Sequence, residues 1–264
     1  FGSHGFSRRI KGSIESIERI SRKDLVAYHK NVFTKDNIVI GVAGNISEKE
    51  VKQYISMVFG NLPSVGNQRK LSTFNSLKMG EEVFEMDTPQ TTVVFGQPGI
   101  SRTEKNYFVA RIANYILGGG GFQSRLYKEI REKRGLVYSI YSYLDSYKMD
   151  GVIVGGFQTR NHSVMDTIEM VKGEWSKISS PGVTSRELQD AKTYYKGSFS
   201  RNFTSTLSIA SLLMIVQYYD LGEDYFNKRD LIIDNLKLNE LNDLAKNLFD
   251  SKNLFFMIVG EPEI

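Results

Sequence analysis

A run of four glycines, Gly118–Gly121, is the most conspicuous candidate for chemistry in this sequence. Backbone N–H groups in a glycine-rich turn can bind phosphate when the turn follows a β-strand and opens a helix. Here the preceding segment, Tyr107–Leu117, carries apolar side chains at helical spacing, and Phe122–Leu126 follows without a Gly-Lys-Ser ending. The run therefore predicts a connector between two helices and argues against a nucleotide site.

Metal ligands and thiols are scarce. The sequence has no Cys, which excludes disulfides, thiol catalysis and cysteine-ligated metals. Its three histidines, His4, His29 and His162, are far apart, and no H-x-x-E-H motif is present. His29 and His162 are therefore interpreted as ordinary helix-face or helix-start residues, and no metal ligand is assigned to this segment.

Arg131 and Tyr138 lie on either side of Gly135. Arg131 is predicted in the last turn of a short helix, where a cation suits the helix dipole. Gly135 is expected to end that helix, and Tyr138 is expected within the strand that follows. Taken alone, Arg131 is consistent with an ordinary charged side chain at the surface, and Tyr138 with an ordinary aromatic side chain in a strand.

The elements that would position these residues follow from hydrophobic periodicity and capping boxes at Ser21/Asp24, Ser47/Glu50 and Thr184/Glu187. Helices are predicted near 21–32, 47–59, 104–117, 122–133, 161–179, 184–202, 205–220, 223–235 and 237–249. Strands are predicted near 37–44, 81–87, 90–97, 136–146, 151–159 and 253–259. Neighbouring strands separated by helical blocks predict an α+β fold, a mainly antiparallel sheet with helices packed on one face.

The end of the chain repeats its beginning. Asp24–Gly44 aligns without a gap with Glu240–Gly260 at an offset of 216 residues. Identical residues occur at Leu25/Leu241, Lys30/Lys246, Asn31/Asn247, Phe33/Phe249, Asn37/Asn253 and Gly44/Gly260. One supersecondary unit is therefore expected to occur twice, although helix-end propensity alone could give some of this similarity.

The repeat predicts the domain organisation. Residues 1–66 would form the end of a first repeat domain, 67–80 a linker, and 81–264 the second repeat domain. The offset places about 140 residues of the first copy before Phe1, so we expect a fragment. Residues 1–4 fit either native sequence or a cloning scar.

Composition limits the possible partners. The chain has 41% hydrophobic and 24% charged residues, which is typical of a folded globular protein. Its net charge of +4 is spread among interspersed acidic and basic residues, which argues against nucleic-acid binding. No apolar run approaches the roughly 18 residues of a membrane span, so none is predicted.

Several motifs together resemble one family. They are His4–Gly12, the repeated helix-to-strand unit, Ala113–Leu126, Glu129–Tyr138 and the closing Val259–Pro262. The chain resembles the insulinase-like (inverzincin) family of zinc metallopeptidases, as a fragment of a bacterial processing-peptidase-like member that lacks the N-terminal part. The resemblance implies duplicated α+β units and two halves or subunits that close over a peptide.

The resemblance also implies roles for particular residues. The family has an Arg and a Tyr seven residues apart that reach into the active site from the half opposite the zinc, and Arg131 and Tyr138 match them. These two are the expected catalytic residues, and Gly119, Gly120 and Gly121 the expected substrate-binding residues. A phenol can donate to the oxyanion of an attacked peptide carbonyl, and a guanidinium can donate to a substrate carbonyl.

The departure from the family is the absent zinc motif. Zinc is therefore expected in the missing N-terminal part or in a partner subunit, and this segment alone is expected to be inactive. The implied function is zinc-dependent cleavage of short unfolded peptides, within a homodimer or a heterodimer with a zinc-carrying subunit. The alternative is a non-catalytic structural or interaction subunit. Family habit suggests the periplasm.

Overall fold

The computed structural model describes residues 1–2, 4–67, 72–74 and 77–263. Its α-helices, in chain order, are α1 (Ile14–Glu18), α2 (Arg22–Val32), α3 (Glu48–Phe59), α4 (Tyr107–Asn114), α5 (Val164–Ser179), α6 (Ser185–Phe199), α7 (Thr206–Tyr218), α8 (Tyr225–Asn235) and α9 (Leu238–Leu248). Its strands are β1 (Gly80–Glu85), β2 (Thr91–Pro98), β3 (Ile140–Ser146), β4 (Gly151–Thr159) and β5 (Phe255–Gly260). No helix in the described ranges is both long and apolar enough to cross a membrane.

The chain divides into two compact units. Unit 1 contains residues 1–74 and 199–225, and unit 2 contains residues 75–198 and 226–264. The sequence placed residues 199–225 in the second repeat domain, whereas contacts group them with residues 1–74. A repeat is defined by sequence similarity, whereas a compact unit is defined by contacts between residues. The two compact units therefore do not test the repeat boundaries, which stay a prediction. Residues 68–71, 75 and 76 of the predicted linker, Ser3 of the possible scar and Ile264 lie outside the described residues.

Unit 2 contains a five-stranded sheet in the order β1-β5-β2-β4-β3. β2 pairs antiparallel with both β5 and β4, and β3 pairs antiparallel with β4. β1 and β5 pair in parallel, so the sheet is mixed. The predicted α+β class is confirmed, with three antiparallel pairs and the parallel β1–β5 pair in this described sheet.

The hydrophobic core lies on one face of this sheet. Inward side chains alternate along β2, with Val93 and Phe95 buried and Val94 exposed between them, as a sheet with one packed face requires. Phe95 and Phe249 each contact Trp175 of α5 edge-on, at centroid separations of 5.6 and 5.8 Å. Helices α5 and α9 therefore close the core over the central strands.

The capping boxes predicted from sequence are present. The hydroxyls of Ser21, Ser47 and Thr184 accept from the third helical N–H, at 3.3 Å in each case. The acidic residue three positions on accepts in return from each cap N–H, at 2.8–2.9 Å. Each reciprocal pair satisfies two N–H groups that lack partners within the helix, which fixes where α2, α3 and α6 begin.

The repeat is also present in the backbone. α9 and α2 share the same bounds once shifted by 216 residues, and so do the 3₁₀ turns Ser251–Asn253 and Lys35–Asn37. The final glycines, Gly44 and Gly260, have φ angles of 154° and 151°. The two segments therefore share a helix, the 3₁₀ turn that follows it and the conformation of the final glycine, which is more than a shared helix end would produce.

The predicted strand at 37–44 is wrong for this structure, because residues 38–43 pair with no strand in the described chain. Its counterpart β5 is a strand because β1 and β2 lie on either side of it. A strand is defined by its neighbours as well as by its own pattern. The apolar alternation of residues 37–44 matches that of β5, but alternation alone does not show whether neighbouring strands are present.

Candidate functional site

The glycine run connects two helical segments, as predicted. α4 continues into a π-helical turn, Tyr115–Gly119, which is followed by a 3₁₀ turn, Gly121–Gln123. A Cβ at Gly118 would lie 2.3 Å from Ser142 Oγ of β3. Glycine is therefore needed at Gly118 for close approach to the strand, whereas Gly121 lies in open space with a left-handed φ of +54°.

Asn114 joins this turn to the edge strand. Its Nδ2 donates to the Ser142 carbonyl at 3.1 Å, and Ser142 Oγ donates to Asn114 Oδ1 at 2.8 Å. Both side chains are buried, so breaking the pair would leave unsatisfied polar groups. The end of α4 is therefore held on β3, which fixes the start of the glycine run.

The predicted substrate-binding glycines are only partly covered. Gly119 and Gly121 are exposed, and Gly120 is half-buried. Next to them Phe122 is 68% exposed, with its ring edge-on to Tyr127 at 4.8 Å between centroids. The turn therefore presents backbone and an aromatic ring to the exterior. Its role in binding substrate stays a prediction.

An ion pair fixes the helix that leaves the glycine run. Arg125 donates from Nε and Nη2 to the two carboxylate oxygens of Glu187, at 2.6 and 2.8 Å. Nη2 also donates to the Gly182 carbonyl at 2.8 Å. A bidentate pair of this kind fixes both the distance between the two side chains and their relative orientation. The pair therefore joins the segment after the glycine run to the beginning of α6.

The charge on Glu187 is stabilised by its surroundings. Burial by itself raises the pKa of this carboxyl, but hydrogen bonds from Arg125 and Thr184 lower the pKa from 4.5 to about 2. Thr184 contributes both its backbone N–H and its hydroxyl, each at 2.8 Å. Glu187 thus serves as a helix cap and as the anion of the ion pair.

Arg131 lies on the π-helical turn Tyr127–Glu132 and is exposed. Its guanidinium carbon is 5.3 Å from the centroid of the Tyr127 ring, within cation–π range. The helix ends as predicted, because Gly135 adopts a φ of +64° and donates its N–H to the Arg131 carbonyl at 3.0 Å. Arg131 therefore stands at a defined helix end with its charge in solvent.

Tyr138 lies before the edge strand rather than within it, which corrects the prediction of a strand from residue 136. β3 begins at Ile140. The flanking side chains of Val137 and Ile140 are buried, whereas Tyr138 is 89% exposed. Packing of Val137 and Ile140 holds the backbone on both sides while the phenol projects outward.

The structure thus places Arg131 and Tyr138 on exposed backbone on either side of Gly135. A cavity of about 450 Å³ lies nearby in sequence, between the glycine run and α6. Its lining includes Tyr115, Gln123 and Glu187, but neither Arg131 nor Tyr138. The pair is therefore available to a ligand on the surface and does not enclose one within this cavity.

The residues present do not fit the zinc that the resemblance implies. Within the described ranges, no group of three or more His, Cys, Asp or Glu side chains could hold a metal ion. The His4 ring accepts from Phe6 N–H at 3.2 Å and contacts the Ser72 carbonyl at 2.8 Å, and His29 stacks on Phe33. These two rings have structural partners. No catalytic step is therefore assigned through a metal in this chain.

Sequence reasoning missed Arg125 as the partner of Glu187. It identified the local signal, the Thr184/Glu187 capping box, because residues three apart meet at a helix start. Arg125 is 62 positions away from Glu187 and meets it only in the folded unit. A long-range ion pair leaves no spacing signal in one sequence.

The fold and the site define a class of protein: an α+β unit that exposes an Arg and a Tyr and has no group of His, Cys, Asp or Glu side chains in its described residues that could hold a metal ion. The family model described as "Peptidase M16 inactive domain" matches residues 19–195. The chain belongs to this family, which confirms the resemblance to insulinase-like metallopeptidases.

Individual relatives agree with this assignment. An uncharacterised zinc protease YmxG of Bacillus subtilis is 28% identical over 256 residues, 94% of this chain and 60% of the relative. A protein of Helicobacter pylori named "Non-peptidase homolog YmxG" is 29% identical, over 96% of this chain and 58% of the relative. The crystal structure of a peptidase M16 inactive domain from Pseudomonas fluorescens superimposes with a TM-score of 0.92 at 27% identity. That match covers 100% of this chain and 63% of the other.

The chain spans about 60% of the length of each of these two relatives. Their names differ on activity, since one is called a protease and the other a non-peptidase homolog. The family and fold are therefore established, and the activity of the whole protein is a matter for proposal.

Proposed function

We propose that this chain supplies the Arg131 and Tyr138 side chains of a zinc-dependent endopeptidase that cleaves short unfolded peptides. The zinc motif is supplied elsewhere, by a part of the polypeptide outside these residues or by a partner subunit. In this proposal the chain binds and orients peptide and stabilises developing charge, and it is inactive alone.

The exposure of Tyr138 carries the proposal. A large aromatic side chain that is 89% exposed contributes little to packing in this structure, although its neighbours Val137 and Ile140 are buried. Exposed aromatic and arginine side chains on a rigid support are typical of binding surfaces. Tyr138 and the exposed Arg131 satisfy this description in a family whose members include proteases.

The chemistry of the two side chains fits peptide hydrolysis. The phenol O–H of Tyr138 can donate to the oxygen of a peptide carbonyl as negative charge develops there, and the Arg131 guanidinium can donate to a neighbouring substrate carbonyl. Gly119, Gly120 and Gly121 would pass close to the peptide backbone, since no side chain of theirs obstructs it. The developing charge would thus be stabilised by hydrogen-bond donors that are already in position before the reaction begins.

The assembly follows from the same reasoning. No metal cluster is present in the described part of the chain, so in this proposal zinc comes from another part of the polypeptide or from a partner subunit, within a homodimer or a heterodimer that closes over the peptide. We place this assembly in the periplasm, and we assign it neither nucleic acid nor a membrane span.

The test is peptide turnover by the complete assembly with Tyr138→Phe. Removing one oxyanion donor typically lowers kcat by about 10²–10³. Tyr141→Phe is the matched control, because Tyr141 is 49% exposed on the adjoining strand and has no assigned role. A Tyr138→Phe assembly with unchanged kcat would remove Tyr138 from the mechanism.

A second candidate is a structural or interaction subunit without chemistry. The family description as an inactive domain and the relative named a non-peptidase homolog favour it. Under this alternative the complete assembly either lacks peptide turnover or keeps it unchanged when Arg131 and Tyr138 are both substituted. The two candidates therefore differ in one kinetic measurement.

A further inference from the structure

The cavity of about 450 Å³ between the glycine run and α6 has no role in the proposed peptidase activity. Four of its lining residues lie on one face of α6, at helical spacing: Glu187, Asp190, Ala191 and Tyr194. Other lining residues belong to the two π-helical turns: Tyr115, Ile116 and Lys128. Single π-helical turns occur frequently at functional sites, so this cavity is a candidate for a ligand of its own.

Tyrosine rings form an aromatic wall of the cavity. The rings of Tyr115 and Tyr194 stack 23° from parallel, with 4.6 Å between centroids. Tyr195 is half-buried and packs edge-on against both rings, at 5.5 and 5.9 Å. Tyr194 stays 45% exposed. The cavity therefore offers an accessible ring that two other rings hold in place, and a planar ring of a ligand can pack against it.

One positive charge at the cavity has no counter-charge. The Glu187 carboxylate pairs with Arg125 at 2.6 Å, and the Asp190 carboxylate lies 3.9 Å from the Arg186 guanidinium. Lys128 is half-buried and forms no ion pair within the part of the chain that the structure describes. Both carboxylates thus have guanidinium partners and the lysine has none. An anionic group on a ligand would supply the missing partner.

The remaining lining combines an apolar floor with uncharged donors. Ile116 and Ala191 are buried, whereas the Gln123 amide can donate a hydrogen bond. Burial raises the pKa of Tyr115 above its ordinary value of 10, so its phenol keeps its proton at neutral pH and can also donate. Small-ligand sites typically have a volume of about 300–1,000 Å³, an apolar lining and a few polar groups. The cavity has all three properties.

We infer that this cavity binds an aromatic carboxylate. The ligand ring packs on the tyrosine wall above Ile116 and Ala191, and the carboxylate pairs with Lys128 and accepts from the Gln123 amide. The same chemistry occurs in a free aromatic acid and in the aromatic C-terminal residue of a peptide. The inference does not rest on the proposed peptidase activity, because neither Arg131 nor Tyr138 lines the cavity.

Titration calorimetry with the complete protein at pH 7 tests both halves of the ligand. N-Acetylphenylalanine is expected to bind with a Kd of about 1 mM, as suits a ligand of its size. Its amide lacks the carboxylate and N-acetylalanine lacks the ring, and we expect each to bind about tenfold more weakly. Equal affinity for the acid and the amide would overturn the inference.

The cation is tested by Lys128→Met, with Lys133→Met as the matched control. Lys133 is exposed and pairs with Glu129, so its substitution removes the same charge away from the cavity. We expect Lys128→Met to weaken binding about tenfold, and Lys133→Met and Lys128→Arg to retain it. Equal losses in Lys128→Met and Lys133→Met would overturn the site. Should Lys128→Met fail to fold, the acid and amide on the unsubstituted protein decide the question.

The aromatic wall is tested by Tyr194→Leu, with Tyr141→Leu as its control, since Tyr141 is an exposed tyrosine outside the lining. Only Tyr194→Leu is expected to weaken binding. The site can also be followed at Gly120, where a Cβ would lie 3.2 Å from Cζ of the Tyr115 ring. We expect N-acetylphenylalanine to shift the Gly120 amide resonance. Binding that leaves this resonance unchanged and is insensitive to Tyr194→Leu would place the ligand elsewhere and overturn the inference.

Two further probes distinguish the sources of the carboxylate. Phenylacetate represents a free aromatic acid, and a pentapeptide that ends in phenylalanine represents a peptide terminus. Tighter binding of the pentapeptide than of N-acetylphenylalanine assigns the cavity to peptide ends, and binding of phenylacetate without the pentapeptide assigns it to free acids. If N-acetylphenylalanine, phenylacetate and the pentapeptide all fail to bind at about 10 mM, the inference is wrong. None of these measurements reads peptide turnover, so such a failure would leave the proposed function standing.

Discussion

Replacing Glu187 by Gln tests whether the ion pair with Arg125 holds the segment after the glycine run against the beginning of α6. The substitution keeps the shape of the side chain but removes its charge. The guanidinium side chain, only 16% exposed, then loses its carboxylate partner and keeps the Gly182 carbonyl as an acceptor. We expect the free energy of unfolding to fall at neutral pH, because a partly buried cation is left without a counter-ion.

The magnitude follows from the pKa. Glu187 ionises with a pKa of about 2 in the folded protein, against an ordinary value of 4.5. Each pKa unit corresponds to about 1.4 kcal/mol, so the upper limit is about 3 kcal/mol. The Glu187 side chain is 29% exposed, and solvent screening reduces this to about 1–2 kcal/mol. Because the folded pKa is depressed, this stabilisation is fully present above about pH 4.5 and is lost as the pH falls toward 2.

The assay is urea unfolding followed by the fluorescence of Trp175, the single tryptophan, which is fully buried in unit 2. Wild type and Glu187→Gln are compared at pH 7 and at several values below 4.5. Glu169→Gln is the matched control, since the Glu169 carboxylate is exposed and pairs with Lys172 at the surface. A stability difference that is absent at pH 7, or that stays constant as the pH falls toward 2, would refute the assignment.

Further substitutions test other contacts in unit 2. Gly118→Ala should destabilise by about 1–3 kcal/mol, because its Cβ would meet Ser142, whereas Gly173→Ala in α5 has open space and should stabilise by about 0.5–1 kcal/mol. Opposite signs in urea unfolding are expected, and equal signs would contradict the packing. Gln97→Leu should cost about 1–3 kcal/mol, because it removes the acceptor of the buried Trp175 N–H. Calorimetry that gives an unchanged Tm for Gln97→Leu would exclude that role.

Local signals predicted most of the elements in this fold. The capping boxes placed the starts of α2, α3 and α6 to within one residue, because a cap depends on residues three apart. The short helix α1 was not predicted, since five residues are too few to show a helical period. The gapless repeat was more informative than the short local signals. The two copies that it pairs have matching helix bounds and matching conformations at Gly44 and Gly260.

What the sequence could not predict depends on contacts between distant residues. The strand expected at 37–44 has the right pattern but no neighbouring strands among the described residues, while its copy at 255–260 has two. The ion pair of Arg125 and Glu187, and the hydrogen bonds of Asn114 with Ser142, join segments with no common local motif. Tyr138 was identified by resemblance alone, since an exposed tyrosine near a strand has no distinguishing spacing.

Complementation is the most direct test of the claim that this chain donates Arg131 and Tyr138 to a zinc-bearing partner. Peptide turnover would be measured for the zinc-bearing part alone, with the wild-type chain, and with the chain carrying both Arg131→Ala and Tyr138→Phe. The account predicts that the wild-type chain raises kcat by at least about 10²-fold and that the double variant associates without doing so. Full restoration of turnover by the double variant would contradict the account.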